Sequence, residues 1–175
     1  IDNDTTRAFG TNCLLARRMV ERGVRFVQLY HSTWDDHSNL NTKLKQNCDM
    51  TDRGATALVM DLKQRGLLDE TLVVWGGEFG RTVYCQGKLT ATDYGRDHHP
   101  RCFSIWLAGA GIKRGNVFGK SDKTGSAPDT DPIHPTELLA TIYHAFGIHP
   151  NTIVYNHPNQ PRELVKTEAQ QKLFG

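Results

Sequence analysis

A chain of 175 residues, 38% hydrophobic and 23% charged, can bury one sizeable core and is short for two. Its 21 Lys and Arg against 19 Asp and Glu leave a net charge of +2, with no basic run to track a phosphate backbone, so nucleic acid is not an expected partner. No apolar stretch has the length of a membrane span and no signal-peptide pattern opens the chain, although a start at Ile1 rather than Met leaves room for an upstream start and an export signal there.

The first expected helix lies in TTRAFGTNCLLARRMVERG, Thr5 to Gly23, where Phe9, Cys13, Ala16 and Val20 recur at helical spacing and arginines precede a capping glycine. VRFVQLY, Val24 to Tyr30, is rich in β-branched and aromatic residues and reads as a first strand. After the polar loop HSTWDDHSN, Leu40 to Arg65 carries Leu44, Cys48, Leu58, Val59 and Leu62 near helical period and closes at Gly66. TLVVW, Thr71 to Trp75, is the second strand, and a loop of about 25 residues, a length usually functional rather than idle, follows it. CFSIWLAGAG, Cys102 to Gly111, is a third strand running into a glycine turn, and HPTELLATIYHAFG is a helix opened by Pro135 and closed by Gly147. The tail, residues 148–175, is polar and Pro-punctuated and is expected to wrap the surface.

Apolar strands without alternation, helices between them and long connections predict an α/β fold, a mixed, mostly parallel sheet with helices on both faces. Helix Leu40 to Arg65 makes the first two strands parallel, and the third runs antiparallel if the long loop stays at their carboxyl edge. In such sheets function gathers at that edge. The loops there carry His31, Asp35, Asp36 and His37, then Glu78 and Arg81, then Asp97, His98 and His99. Gly76 and Gly77 are expected to turn the backbone so that Glu78 faces the edge.

Carboxylates with neutral imidazoles suit divalent metals such as zinc or manganese, with no need for thiolates. Each loop alone also reads as ordinary surface polarity or Asx turns, and only their convergence on one edge favours a metal. Arg81 and Arg96 could clamp an anion, or remain solvated. Cys13, Cys48, Cys85 and Cys102 are irregularly spaced, against a cysteine zinc site or a dense disulfide framework. His134, His144, His149 and His157 read as helix-boundary or surface residues. Ser32, Thr33 and Thr82 lie beside the proposed ligands without a nucleophile elbow around them.

LVVWGGEFGR, AGAGIKRG and PIHPTELLATIYHAFGI resemble, in order and spacing, the C-terminal half of the alkaline phosphatase and sulfatase superfamily. More narrowly, FGTNCLLARRMVERGVRFVQLYH, WDDHSN, GRDHHP and WLAGAGIKRG resemble an uncharacterised bacterial family within it, over nearly the whole chain. The resemblance implies that residues 1–175 are the C-terminal part of one alkaline phosphatase-like α/β domain. It further implies that the nucleophile and a first aspartate ligand come from a missing N-terminal half, and that the protein is exported or periplasmic. It assigns Asp35 and His37 to one metal with His98 as third ligand, and Glu78 to the place of an acidic ligand. Phe79 stands where the superfamily has His or Asn, and the Asp35 to His37 spacing is Asp-x-His where Asp-x-x-x-His is usual.

The expected function is therefore a metal-dependent hydrolase of phosphate or sulfate esters. One or two divalent ions (zinc first, manganese or calcium as alternatives) would be held by Asp35, His37, Glu78 and His98, with His99 and Asp97 as outer or alternative ligands, and Arg81 or Arg96 would steady a small anionic ester. The alternatives are a scaffold that keeps the metal without turnover, and a serine hydrolase built on Ser32.

Overall fold

The computed structural model describes residues 3–175. Helix α1, Asp4–Glu21, begins where the Asn3 side chain accepts a hydrogen bond from the Thr5 backbone N–H at 2.9 Å, and ends before Gly23, whose φ of 84° L side chains rarely adopt. Helix α2, Leu40–Gln64, packs along it. Their approach depends on small residues: a Cβ on Gly54 would stand 2.9 Å from the Phe9 ring and 3.2 Å from the Gly10 Cα. Arg17, buried on α1, bonds Asp61 of α2 at 2.8 Å and Glu21 at 2.6 Å, so its charge is paired inside the helix interface.

Phe9 links this helical pair to the strands. Its ring meets Trp75 edge-on at 6.1 Å, and Trp75 stacks on Trp106 at 5.9 Å. Those tryptophans face each other across strands β1, Val73–Trp75, and β4, Trp106–Ala108, which pair antiparallel. Between them lie β2, Gly80–Arg81, and β3, His98–His99, also antiparallel, with Arg81 opposite His98. Beyond are the hairpin strands β5, Lys120–Ser121, and β6, Pro128–Thr130, then helix α3, Pro135–Ala145, and a last hairpin of β7, Ile153–Tyr155, and β8, Pro161–Glu163.

The α/β expectation is overturned. Every sheet among the described residues has two antiparallel strands, and no mostly parallel sheet with helices on both faces exists, so the architecture is not alkaline phosphatase-like. Val24 to Tyr30 joins no sheet, and Phe26 and Tyr30 are 64% and 79% exposed. Strand propensity measures how side chains fit a pleated, half-buried surface, and no neighbouring strand supplies that surface here. Without a strand at 24–30 the parallel pairing across α2 cannot form. The antiparallel direction expected of the third strand does hold, for β4 against β1.

Helix α3 is capped by His134, whose Nδ1 accepts from the Thr136 backbone at 3.3 Å while Glu137 accepts from the His134 backbone at 2.7 Å. The tail is a solvent-exposed hairpin followed by Val165 and Ala169, which bury against Ala140 of α3. Thr141, fully buried, donates to the Glu137 carbonyl at 2.7 Å and accepts from the Gln170 backbone N–H at 2.9 Å. Thr141→Val leaves that N–H without its acceptor, and chemical denaturation should show a loss of about 1–2 kcal/mol.

Candidate metal centre

The site begins with the loop between Tyr30 and α2. Thr33 at φ 76° and Asn39 at φ 50° bracket it in the left-handed region, which a β-branched residue such as Thr33 rarely enters. Asn47, buried on α2, holds that conformation: its amide donates to the Thr33 carbonyl at 2.8 Å, and its Oδ1 meets Thr33 Oγ1 at 3.1 Å and His31 Nε2 at 2.9 Å. Local strain fixed by a buried amide is a common way to aim functional side chains.

A second segment closes over this loop. The Arg96 backbone N–H donates to the Asp36 carbonyl at 3.0 Å, the Leu40 N–H to the Tyr94 carbonyl at 3.0 Å, and the Asn39 N–H to the Asp93 carboxylate at 2.6 Å. Between them Gly95 lies directly on His37, where a Cβ would stand 2.0 Å from the carbonyl carbon. The same segment then enters β3. Its backbone is tied to the strand-end loop by the Thr82 N–H on the Asp97 carbonyl at 2.9 Å and the Asp97 N–H on Thr82 Oγ1 at 3.0 Å.

Asp35, His37 and His98 meet as a result, each offering a donor atom within 4.8 Å of the others, a group that could hold a metal ion. Asp35 Oδ1 lies 2.9 Å from His37 Nε2 and 2.9 Å from His98 Nε2, and the two imidazole centroids are 5.0 Å apart. The hydrogen bond from His98, joined by Arg81 and the nearby His37, outweighs the loss of hydration and lowers the Asp35 carboxyl below its ordinary 3.8. Asp35 is therefore a carboxylate across the whole range in which imidazoles titrate. Its share of stability is present above the ordinary carboxylate value and is lost as pH falls through the lower folded value.

The donor set fits a divalent cation. One oxygen and two nitrogens from protein, with Asp35 and His98 both open to solvent, leave positions for water or substrate, as in catalytic zinc sites. His37 presents Nε2 to the centre, while its Nδ1 is buried without a hydrogen-bond partner and lies on the other side of the ring.

The remaining expected residues divide. Arg81 joins the centre: one guanidinium nitrogen bonds Asp35 and the other bonds Glu78 at 2.6 Å. Glu78 thus reaches the centre only through Arg81. Gly76 and Gly77 do not hold positive φ; Gly76 is small because a Cβ would stand 2.5 Å from the Ile105 side chain. Phe79 packs its ring 4.9 Å from His98 and 5.4 Å from the Arg81 guanidinium carbon. His99 turns away, its Nε2 against the Gly125 carbonyl at 2.9 Å. Arg96 spends its guanidinium on the Thr82 and Val83 carbonyls, and Asp97 accepts the His98 backbone N–H at 2.7 Å. All four cysteines are free.

Sequence reasoning missed Asn47 and Gly95, which position the candidate ligands without touching the place where a cation would sit, and it weighed Thr82 as a nucleophile where the structure uses it to tie down the Asp97 backbone. A polar residue on the inward face of a helix and a glycine immediately before a ligand loop were the available signals.

Over residues 1–173 the chain matches the family described as Protein of unknown function (DUF1501). It belongs to the DUF1501 family. Neither a curated protein nor a solved structure matches it. Membership in DUF1501 therefore assigns no chemistry, and the donor geometry has to carry the functional argument. No helix among the described residues is long and apolar enough to cross a membrane.

Proposed function

We propose that this DUF1501 chain holds a divalent cation, zinc first with manganese or calcium as alternatives, on Asp35, His37 and His98, and uses it to hydrolyse a small anionic ester of phosphate or sulfate. The supporting observation is the meeting of Asp35 and His98, 63 residues apart in sequence, with His37 at a solvent-open rim and with Arg81 beside them. A divalent ion there would polarise an ester oxygen and lower the pKa of a bound water. The chain's own residues supply the rest: Asp35 fixes both imidazoles, Phe79 packs against one side of His98, and Arg81 brings the positive charge an anionic ester needs.

A second reading has one specific observation in its favour. No nucleophile is in place: Thr33 Oγ1 donates to the Ser32 carbonyl at 2.5 Å, and no Ser32 or Thr33 hydroxyl bonds an imidazole among the described residues. A metal-holding scaffold without turnover would look the same, and the activated water is what separates the two.

Assay of the chain on chromogenic phosphate and sulfate esters, with and without chelator, tests the proposal. Hydrolysis should vanish with chelator and return with Zn2+. Both activity and Zn2+ affinity should fall toward acid pH, because protons compete with the cation for the ligand atoms. Bound metal with no turnover supports the scaffold; hydrolysis indifferent to chelator overturns the metal-dependent reading.

A further inference from the structure

We infer that Arg81 is a displaceable counter-ion: Asp35 holds it while the centre is free of metal, and Asp35 gives it up to bind an anion once the carboxylate turns to a cation. The inference rests on the metal reading above and adds the order in which the two charges arrive. Arg81 and both imidazoles crowd one oxygen, Asp35 Oδ1. The other arm of the Arg81 fork is held by Glu78 at 2.6 Å, and the guanidinium lies over Phe79 at 5.4 Å. Glu78 therefore tethers Arg81 near the centre without ligating anything in it.

Charge decides the sequence of events. Two carboxylates against one guanidinium leave the metal-free rim with one net negative charge, which repels an anion. Two positive charges added at Asp35, His37 and His98 turn that to one net positive charge, and Arg81 no longer needs Asp35. Its planar fork then matches the paired oxygens of a sulfate or phosphoryl group. Anion binding should thus require the cation, and by linkage the anion should tighten the cation by the same factor.

The test titrates the whole chain with Zn2+ and with inorganic sulfate, which leaves Zn2+ in solution, by calorimetry. Wild type should bind sulfate only in the presence of Zn2+. Arg81→Gln should bind Zn2+ about 5-fold tighter, since a positive charge a few ångströms from the centre is gone, while sulfate binding to the Zn2+ form weakens about 10-fold. Arg81→Lys, which keeps the charge and loses the fork, should restore the Zn2+ affinity but not the sulfate affinity. Glu78→Gln should shift both affinities the opposite way, with sulfate tighter and Zn2+ weaker. The opposite signs for the two ligands are what a merely structural Arg81 would not produce. Sulfate binding equally well without Zn2+, or Arg81→Gln leaving Zn2+ affinity unchanged or weaker, overturns the inference while the metal centre stands. Failure of every variant and of wild type to bind Zn2+ overturns both.

Discussion

Asp35→Asn should reduce the affinity of the chain for Zn2+ by about 100-fold or more, while leaving the metal-free fold in place. Losing even an outer hydrogen-bond partner of a metal ligand lowers affinity about 10- to 100-fold, and Asp35 stands closer than that, as the one anionic donor in the group. Its neutral replacement keeps the shape and an acceptor oxygen, so the contacts from His37, His98 and Arg81 can persist without the charge that attracts a cation. The carboxylate is largely solvent-exposed, so its removal should move the melting temperature of the metal-free protein little. Titration with a competing zinc dye, alongside thermal melts with and without Zn2+, checks both halves. Wild type should gain stability with added Zn2+ as mass action requires, and Asp35→Asn should not.

Gly95→Ala should strongly destabilise the fold at the site. The added carbon would stand 2.0 Å from the His37 carbonyl carbon and 2.2 Å from its oxygen, and both obstacles are backbone, which cannot swing aside as a side chain can. Relief requires the 93–97 segment to lift from the Asp36 to Leu40 loop, breaking the Arg96 to Asp36 and Leu40 to Tyr94 hydrogen bonds. Overpacking that displaces backbone costs about 3 kcal/mol. The consequence extends to function, because His98 rides on the segment that must move and His37 on the loop it leaves. Denaturant unfolding should show the loss of stability, and Zn2+ affinity should fall with it. By contrast Gly87→Ala, at a glycine with nothing within 4 Å of a Cβ but with φ of 74°, should lose stability through backbone strain alone and keep its Zn2+ affinity.

The helices were legible because periodicity and capping are local. Asp4–Glu21, Leu40–Gln64 and Pro135–Ala145 fall within a residue or two of the segments that the glycines and Pro135 delimit. The face that α2 buries was legible only in part: Leu62, in the expected stripe, is fully buried, and Cys48, Leu58 and Val59 are partly so. Its apolar spacing points to Leu44, yet Leu44 is 43% exposed, while Asn47, Thr51 and Gly54 face inward. Close approach to α1 demands small side chains there, and Asn47 is held inside by the polar loop it braces, neither of which hydrophobic periodicity can register. The sheet failed for a related reason: strand composition at Val24 to Tyr30 is local, but pairing needs a partner at long range.

At the site, Asp35, His37 and His98 were legible as metal-type residues because such donors on separate loops have few other reasons to share a rim. The diversion of His99 could also have been read. Neighbours on a strand point to opposite faces, so when His98 turns toward Asp35, His99 must turn away, and it does so toward Gly125. Glu78 offered no such clue. An acid three residues before an arginine is as ready to pair with it as to ligate a metal, and here it pairs.

The most direct test of the metal centre is an anomalous difference map at the zinc absorption edge, from crystals of the 175-residue chain grown with Zn2+. The geometry predicts a peak about 2.0–2.2 Å from a carboxylate oxygen of Asp35 and from one imidazole nitrogen each of His37 and His98. A map with no peak at that rim, with zinc bound elsewhere or nowhere, would contradict the account.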